Sequence, residues 1–140
     1  MILKPFQLNK VDFEKNNFFL FYGNNEGLKK EEIQKLYSKT DKKIFKYEEK
    51  QILENSQNFF ENLYSGSLFE NEKFIIINRA SDKILKIIDE ILEKKVKDTT
   101  ILINAGVLEK KSKLRSKFEK DKNLICIAFY PDNNETLSIL

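Results

Sequence analysis

Residues Gly23, Gly27 and Lys29 stand where a phosphate-binding loop would lie, between an apolar run and a helical pattern. A working loop has the form G-x-x-x-x-G-K-[ST], because that spacing wraps main-chain amides around the phosphates and the hydroxyl holds magnesium. Here the second glycine comes one residue early, Lys29 does not follow it directly, and Lys30 stands where Ser or Thr is needed. We therefore expect a glycine turn that joins strand to helix, a degenerate phosphate loop that binds no nucleotide productively.

Other side chains that carry catalysis or bind metals are scarce. The chain has no histidine, which removes the commonest general base, the commonest zinc ligand and every Ser-His or Cys-His pair. The third apolar run ends in Asn78-Arg79, where nucleotide hydrolysis would need a magnesium-binding acid. Cys126 lies in an apolar run without a basic neighbour to activate a thiolate, so a small buried side chain is expected. We expect no metal site and no cofactor.

Basic side chains are concentrated in residues 106–122. Acidic residues are interleaved with them, and a helix that turns Leu114 and Phe118 inward must present charge outward. A solvated helix face is therefore one interpretation of this run, and contact with DNA phosphates is the other. The candidate DNA contacts are Lys110, Lys111, Lys113 and Arg115.

Two large apolar side chains, Leu68 and Phe69, lie in a stretch that otherwise has the composition of a loop. Ser65-Gly66-Ser67 precedes them, and Glu70-Asn71-Glu72-Lys73 separates them from the next apolar run. One interpretation is that the pair folds back over the start of the following strand. The other is an exposed pair at the end of a rigid helix, offered to a pocket on a partner protein. The residues alone leave both open.

The elements that would position these residues alternate along the chain. Five strand-like runs are separated by segments whose apolar residues have helical spacing. The second predicted helix continues from Ile52 to Leu63 and ends at Gly66, and the third begins after a cap at Ser81-Asp82. Three runs are almost continuously apolar, as in strands covered on both faces, whereas the second alternates and is expected near an edge. The pattern predicts an α/β fold, a parallel sheet with helices on both faces. The five runs are Phe18–Tyr22, Lys43–Tyr47, Phe74–Asn78, Thr99–Asn104 and Leu124–Phe129.

Length and composition favour a single soluble globular domain. The chain has 140 residues, 41% hydrophobic and 34% charged, and a formal net charge of +3, which is too balanced to indicate nucleic acid by itself. No apolar stretch is long enough to span a membrane, and Lys4 and Pro5 interrupt what a signal peptide would continue. A single cysteine fits a reducing, cytoplasmic location.

Three segments taken together resemble a known family. They are "FFLFYGNNEGLKKEEI", "ENLYSGSLFENEKFIIINRASDKI" and "ILINAGVLEKKSKLRSKFEK" with the following "ICIAFYPD". In this order they resemble the N-terminal domain of the delta subunit of bacterial DNA polymerase III, a component of the sliding-clamp loader. The resemblance implies a three-layer sandwich of the AAA+ type, related to P-loop NTPases, with a five-stranded parallel sheet in the order 5-1-4-3-2 and no active nucleotide site. Residues 1–140 would be the clamp-binding domain of a longer protein, with the lid and C-terminal collar domains outside them.

The resemblance also implies a role in DNA replication. Leu68 and Phe69, preceded by Ser67, correspond to the residues that enter a hydrophobic pocket on the clamp and help to open its ring. The implied partners are the sliding clamp (beta subunit), the other clamp-loader subunits and primed DNA within the assembled loader, without a membrane. The chain would not be an enzyme by itself, and the DNA-directed DNA polymerase activity, a nucleotidyltransferase, would belong to the rest of the holoenzyme.

Two other functions remain as alternatives. One is an active P-loop nucleotide hydrolase, which the displaced lysine and the lack of an acid after the third strand disfavour. The other is a generic flavodoxin-like or response-regulator-like domain. A response regulator needs acids after the first strand and a phosphoacceptor aspartate after the third, where this chain has Tyr22-Gly23 and Asn78-Arg79.

Overall fold

A computed structural model describes residues 1–12, 16–64, 72–94, 96 and 98–131. Within them the strands are β1 (Ile2–Leu3), β2 (Phe18–Tyr22), β3 (Lys43–Glu48), β4 (Lys73–Ala80), β5 (Thr99–Ala105) and β6 (Ile125–Ala128). The α-helices are α1 (Glu26–Ser38), α2 (Glu49–Glu54), α3 (Ser56–Tyr64), α4 (Leu85–Lys94) and α5 (Lys113–Lys120). Short 3-10 helices span Pro5–Lys10 and Asp82–Ile84. None of the helices in this part of the chain has the length and apolar character needed to cross a bilayer.

The described strands form one sheet in which every pairing is parallel, in the order β1-β6-β2-β5-β4-β3. The predicted number of five strands is wrong, because β1 adds a sixth strand at the edge beside β6. The order of the whole sheet therefore differs from 5-1-4-3-2 by this added strand. The five predicted runs correspond to β2 through β6 and lie in the sheet as β6-β2-β5-β4-β3. The alternating run, β3, forms the opposite edge, as its pattern predicted.

The extra strand β1 lies outside the five predicted runs, and contacts with β6 and with the end of α5 hold it in place. Ile2 lies opposite Cys126 in the sheet. The α-ammonium of Met1 donates hydrogen bonds of 2.6 to 2.7 Å to three main-chain carbonyls at and beyond the end of α5. Carbonyls at a helix end lack partners within the helix, so a cation placed there is favourable.

The sheet is covered on both faces. Alternate residues of β2 point to opposite sides, so Leu20 lies in one core and Phe21 in the other, and both are fully buried. The first core contains side chains of α2, α3, α4 and α5, and the second contains those of α1 and Leu8. The prediction of an α/β domain with helices on both faces of a parallel sheet is confirmed.

The helix predicted from Ile52 to Leu63 is two helices, α2 and α3, separated at Asn55. The backbone of Asn55 is non-helical, with φ −148° and ψ 69°, and its side-chain oxygen accepts a hydrogen bond of 3.2 Å from the amide of Asn58. Asparagine competes with helical hydrogen bonds in this way, so it ends one helix and caps the next. The expected helix end at Gly66 lies outside the described residues.

The predicted cap at Ser81-Asp82 serves two elements. The Ser81 hydroxyl accepts from the amide of Lys83 and caps the 3-10 helix that precedes α4. The Asp82 carboxylate instead accepts from the amides of Lys113 and Leu114 at the start of α5, and from the Ser112 hydroxyl at 2.5 Å. The Ser112 hydrogen bond contributes most to lowering the pKa of Asp82 below its usual value.

Candidate functional site

The carboxyl ends of four adjacent strands, β2, β5, β4 and β3, lie side by side along the border of the sheet that runs across the strand ends, the carboxyl edge. In open parallel sheets ligands bind at this edge, where the connections of neighbouring strands leave toward opposite faces. Here that place lies between β2 and β5, because α1 follows β2 on one face and α5 follows β5 on the other. A pocket of about 530 Å³ opens at these strand ends. Its charged and amide lining side chains are Glu26, Lys29, Glu48, Asn78, Arg79 and Asn104.

Gly23 forms the turn that leaves β2. Its φ of 114° lies in the region that favours glycine, and its amide donates to the Gly106 carbonyl at 2.9 Å. An added Cβ atom would lie 2.0 Å from the carbonyl oxygen of Phe129, so no other residue fits at position 23 without moving the main chain at Phe129. Gly27 is different, because it lies in the first turn of α1 and a Cβ there would come no closer than 3.9 Å to another atom. The predicted glycine turn from strand to helix is confirmed at Gly23 only.

Lys29, the lysine of the degenerate loop, is directed into the domain. Its side chain is 1% exposed, its ammonium donates to the Ala105 carbonyl at 2.7 Å, and it forms an ion pair of 2.8 Å with Glu26. The charge that would meet a phosphate is therefore balanced by a carboxylate and held at the end of β5. One of the main-chain amides at the start of α1 is also in use, since the Leu28 amide donates a hydrogen bond of 3.1 Å to the side-chain oxygen of Asn25.

The far side of the pocket is built from β3, β4 and β5. The Arg79 guanidinium donates to the Glu48 carboxylate at 2.5 Å, and the residue has φ 53°, a left-handed conformation that is rare outside glycine. The Asn104 amide nitrogen donates to the Asn78 side-chain oxygen at 3.0 Å, while its own side-chain oxygen is buried without a hydrogen-bond partner among the described residues. A neutral amide thus stands where magnesium would need an acid.

Charge in this pocket is paired. The two ion pairs, Lys29 with Glu26 and Arg79 with Glu48, leave the four charged lining side chains with no net formal charge. A site for a nucleotide needs an excess of positive charge or free amides to balance the phosphates. In the described ranges, no group of three His, Cys, Asp or Glu residues is arranged to hold a metal ion.

The basic run divides into exposed lysines and one internally bonded arginine. Lys110, Lys111 and Lys113 are exposed, and Lys111 lies 3.3 Å from Glu109. Arg115 instead packs its guanidinium 5.0 Å from the centre of the Tyr22 ring and donates to the Leu108 carbonyl and to Glu119 at 2.9 and 3.0 Å. Two of the five N–H donors of Arg115 are therefore used within the domain, and its role as a phosphate contact stays a prediction.

Cys126 is buried in β6, as predicted. Burial raises the pKa of its thiol to about 12, so the thiolate is not available near neutral pH. The same effect acts at the carboxyl edge, where burial raises the pKa of the Tyr22 hydroxyl to about 12. Neither group is suited to proton transfer at physiological pH.

Ser67, Leu68 and Phe69, the predicted clamp-binding residues, lie outside the described residues. The elements that flank them are described, α3 through Tyr64 on one side and β4 from Lys73 on the other. Tyr64 is 40% exposed and stacks on Phe60, with ring centres 5.7 Å apart and planes 11° from parallel.

Lys73 was predicted as part of a polar loop, and this prediction is wrong. It is the first residue of β4 and only 6% exposed. Its ammonium donates to the carbonyls of Asn62 and Leu63 at 2.8 and 3.0 Å. The signal in the sequence is weak, a lysine immediately before an apolar run, because its partners lie on the preceding helix.

Comparison with known proteins adds no family to these observations. A scan of the chain against protein-family models gave no match, and a search of curated proteins found none that is significantly similar.

Proposed function

We propose that this chain is a clamp-binding domain like that at the N-terminus of the delta subunit of bacterial DNA polymerase III. It binds a sliding clamp and helps to open the ring, and it hydrolyses no nucleotide. Three resembling segments in the family's order support this proposal, as does the succession β6-β2-β5-β4-β3 within the sheet. The chain acts in DNA replication in the cytoplasm, beside the other clamp-loader subunits and the polymerase.

The observation that carries the proposal is the position in the fold of α3 and β4, the two elements that flank the apolar pair. Leu68 and Phe69 lie in the stretch between α3, which is described to Tyr64, and β4, which starts at Lys73. Lys73 begins β4 at the amino edge of the sheet, whereas the pocket of Lys29 lies at the carboxyl edge. The clamp-binding segment is therefore attached away from the degenerate nucleotide loop, and its role needs no chemistry in that loop.

Binding energy alone is sufficient for this role. Burying a Leu and a Phe side chain contributes about 1.5–3 kcal/mol each, and a few such residues dominate most interfaces. A ligand that binds the open ring more tightly than the closed ring shifts the population toward the open form. Leu68 and Phe69 can therefore supply a useful part of the work of opening.

Clamp binding by the purified chain is the direct test. The clamp from the same source is immobilised, and the affinity of the chain is compared with that of the Leu68→Ala, Phe69→Ala double variant. At about 2 kcal/mol for each hot-spot residue, the expected loss is about a thousandfold. Matched controls are Phe6→Ala and Val107→Ala, which truncate exposed apolar side chains elsewhere and are expected to change affinity little. Absence of wild-type binding, or equal binding by the double variant, contradicts the proposal.

The second candidate, an active nucleotide hydrolase, is favoured by one observation, the pocket of about 530 Å³ at the strand ends. Small-molecule sites have volumes of about 300–1,000 Å³, so the size alone is suitable. The internal bonds of Lys29 and the amide at Asn78 oppose it. Calorimetric titration with ATP and magnesium separates the two functions. We expect no binding in the micromolar range, and tight magnesium-dependent binding would favour the hydrolase.

A further inference from the structure

The strand β3 forms a long lateral edge of the sheet. It pairs with β4 on one side, in a continuous parallel register from Lys43 to Glu48 without a bulge. In the part of the chain that the structure describes, no strand pairs with its other side. Exposed edge strands are usually short or interrupted by proline or a bulge, because their unpaired main-chain groups attract other strands. The opposite lateral edge, β1, has only two residues, whereas β3 has six and no proline.

The main-chain groups that face outward from β3 follow from its pairing with β4. The Lys43 amide donates to the Glu72 carbonyl at 3.2 Å, on the side of β4. Successive residues of a paired strand direct their amide and carbonyl groups to alternate sides. The groups of Ile44 and Lys46 therefore point away from β4, and among the described residues they have no hydrogen-bond partner. These two amides and two carbonyls are called the open row.

Side chains satisfy the outward amides at both ends of this row. The Thr40 hydroxyl accepts from the Lys42 amide at 3.2 Å, and the Gln51 side-chain oxygen accepts from the Glu48 amide at 2.9 Å. The open row between them keeps two donors and two acceptors, which is the pattern that an added strand uses. An extended segment of another chain can therefore pair with β3 over this short length.

The two faces of β3 would offer different surroundings to such a segment. Ile44 and Lys46 lie on the face covered by α1, where the Lys46 ammonium lies 5.8 Å from the centre of the Tyr37 ring. Phe45 and Tyr47 lie on the other face and pack, half-buried, against the first core. An added strand would thus have an exposed lysine beside one of its faces and aromatic rings beside the other.

The charge of β3 favours an acidic occupant. Lys43 and Lys46 are exposed, and the one carboxylate of the strand, Glu48, forms an ion pair with Arg79. Two copies of β3 paired side by side would bring lysines close together, and like charges across neighbouring strands are destabilising. Carboxylates on an incoming strand would instead lie beside lysines of opposite charge. The edge therefore suits an acidic segment of another protein better than a second copy of this chain.

We propose that β3 is a docking edge for an extended segment of a partner protein in which acidic and apolar side chains alternate. The main chain of the segment pairs with the open row. Its acidic side chains lie beside Lys46, and its apolar side chains cover Phe45 and Tyr47. Main-chain hydrogen bonds then supply affinity, and the alternating side chains supply specificity. This inference is independent of the proposed clamp binding.

The first test titrates the chain with a blocked peptide of alternating glutamate and valine, about seven residues long, and follows the protein amides by NMR. Before titration, the Ile44 and Lys46 amides should exchange hydrogen quickly and those of Phe45 and Tyr47 slowly, because only the latter donate to β4. Bound peptide should shift the resonances of the Ile44 and Lys46 amides and slow their exchange.

Charge reversal tests the proposed chemistry of the partner. Lys46→Glu should weaken peptide binding about tenfold, because it replaces an attraction by a repulsion. The matched control is Lys120→Glu, which makes the same change in net charge at an exposed lysine of α5 and should alter affinity less than about twofold. A peptide of alternating lysine and valine should bind more weakly than the glutamate peptide by at least about tenfold.

Two N-methylated peptides test the pairing without changing the protein. One carries methyl groups on its glutamate amides and the other on its valine amides. A strand pairs through one side at a time, so one peptide should lose more than about tenfold in affinity while the other still binds. An equal effect of the two sets of methyl groups, equal binding by the lysine peptide, or unchanged Ile44 and Lys46 amides overturns the proposal. So does a concentration-dependent dimer that protects these same two amides, because a second copy would then occupy the edge.

Discussion

Replacing Gly23 with alanine tests the interpretation of the first loop as a structural turn. The added Cβ would lie 2.0 Å from the oxygen, 2.7 Å from the carbon and 2.9 Å from the nitrogen of Phe129, all main-chain atoms that cannot rotate away. The φ of 114° adds backbone strain of about 1–3 kcal/mol, and overpacking adds about 1–3 kcal/mol. We expect a total loss of about 4 kcal/mol in the free energy of unfolding.

The expected change in melting temperature follows from the size of the domain. Unfolding entropy is about 2.1 cal/mol/K per residue, or about 0.3 kcal/mol/K for 140 residues. The melting temperature of Gly23→Ala should therefore fall by about 13 °C. Circular dichroism during thermal and urea unfolding measures both quantities, provided that the transition is reversible and two-state.

Gly27→Ala is the matched control, because Gly27 lies in α1 with no atom closer than 3.9 Å to the added Cβ. Alanine is the better helix former, so the variant should be more stable by about 0.5 kcal/mol. A Gly23→Ala protein that melts within about 3 °C of wild type would refute the turn geometry. A large loss in Gly27→Ala would show that this glycine is also needed, contrary to its open surroundings.

Two further predictions concern other parts of the chain. Because the folded-state pKa of Asp82 is lowered, its stabilising effect is present above the unfolded pKa and lost as pH falls through the folded pKa. Asp82→Asn should therefore cost about 0.5 kcal/mol at pH 7, because it removes a negative charge beside the start of α5 and the exposed group is screened by solvent. Urea unfolding at several pH values should show this difference shrinking below about pH 4, and a difference independent of pH would contradict it. Reversing the charge of Lys110, Lys111 and Lys113 should weaken binding of the assembled loader to primed DNA. The slope of the logarithm of the binding constant against the logarithm of the salt concentration should become shallower by about one for each lost phosphate contact. An unchanged slope in a salt titration would instead favour a solvated face, and Arg115→Met is the control for a cation bonded within the domain.

Some features of this chain are determined by its local sequence. The run Phe18–Tyr22 is buried throughout, since a strand covered on both faces must be apolar at consecutive positions. Gly23 follows it because the turn needs a positive φ. The absence of histidine and the early position of Gly27 are also read directly from the sequence, and they exclude histidine-based catalysis and the standard spacing of a phosphate loop. Such features depend on a residue and its nearest neighbours, so the sequence alone predicts them.

The partners of the long charged side chains were decided only by the tertiary structure. The Lys29 ammonium donates to the carbonyl of Ala105, 76 residues away, and Arg115 packs over Tyr22, which lies 93 residues earlier in the chain. The short strand β1 likewise depends on pairing with β6. A lysine or arginine can reach several positions around its Cα atom, so its type and spacing do not specify a partner. Once the sheet brings distant strand ends together, burial makes an unpaired charge or carbonyl costly, and that cost selects one arrangement.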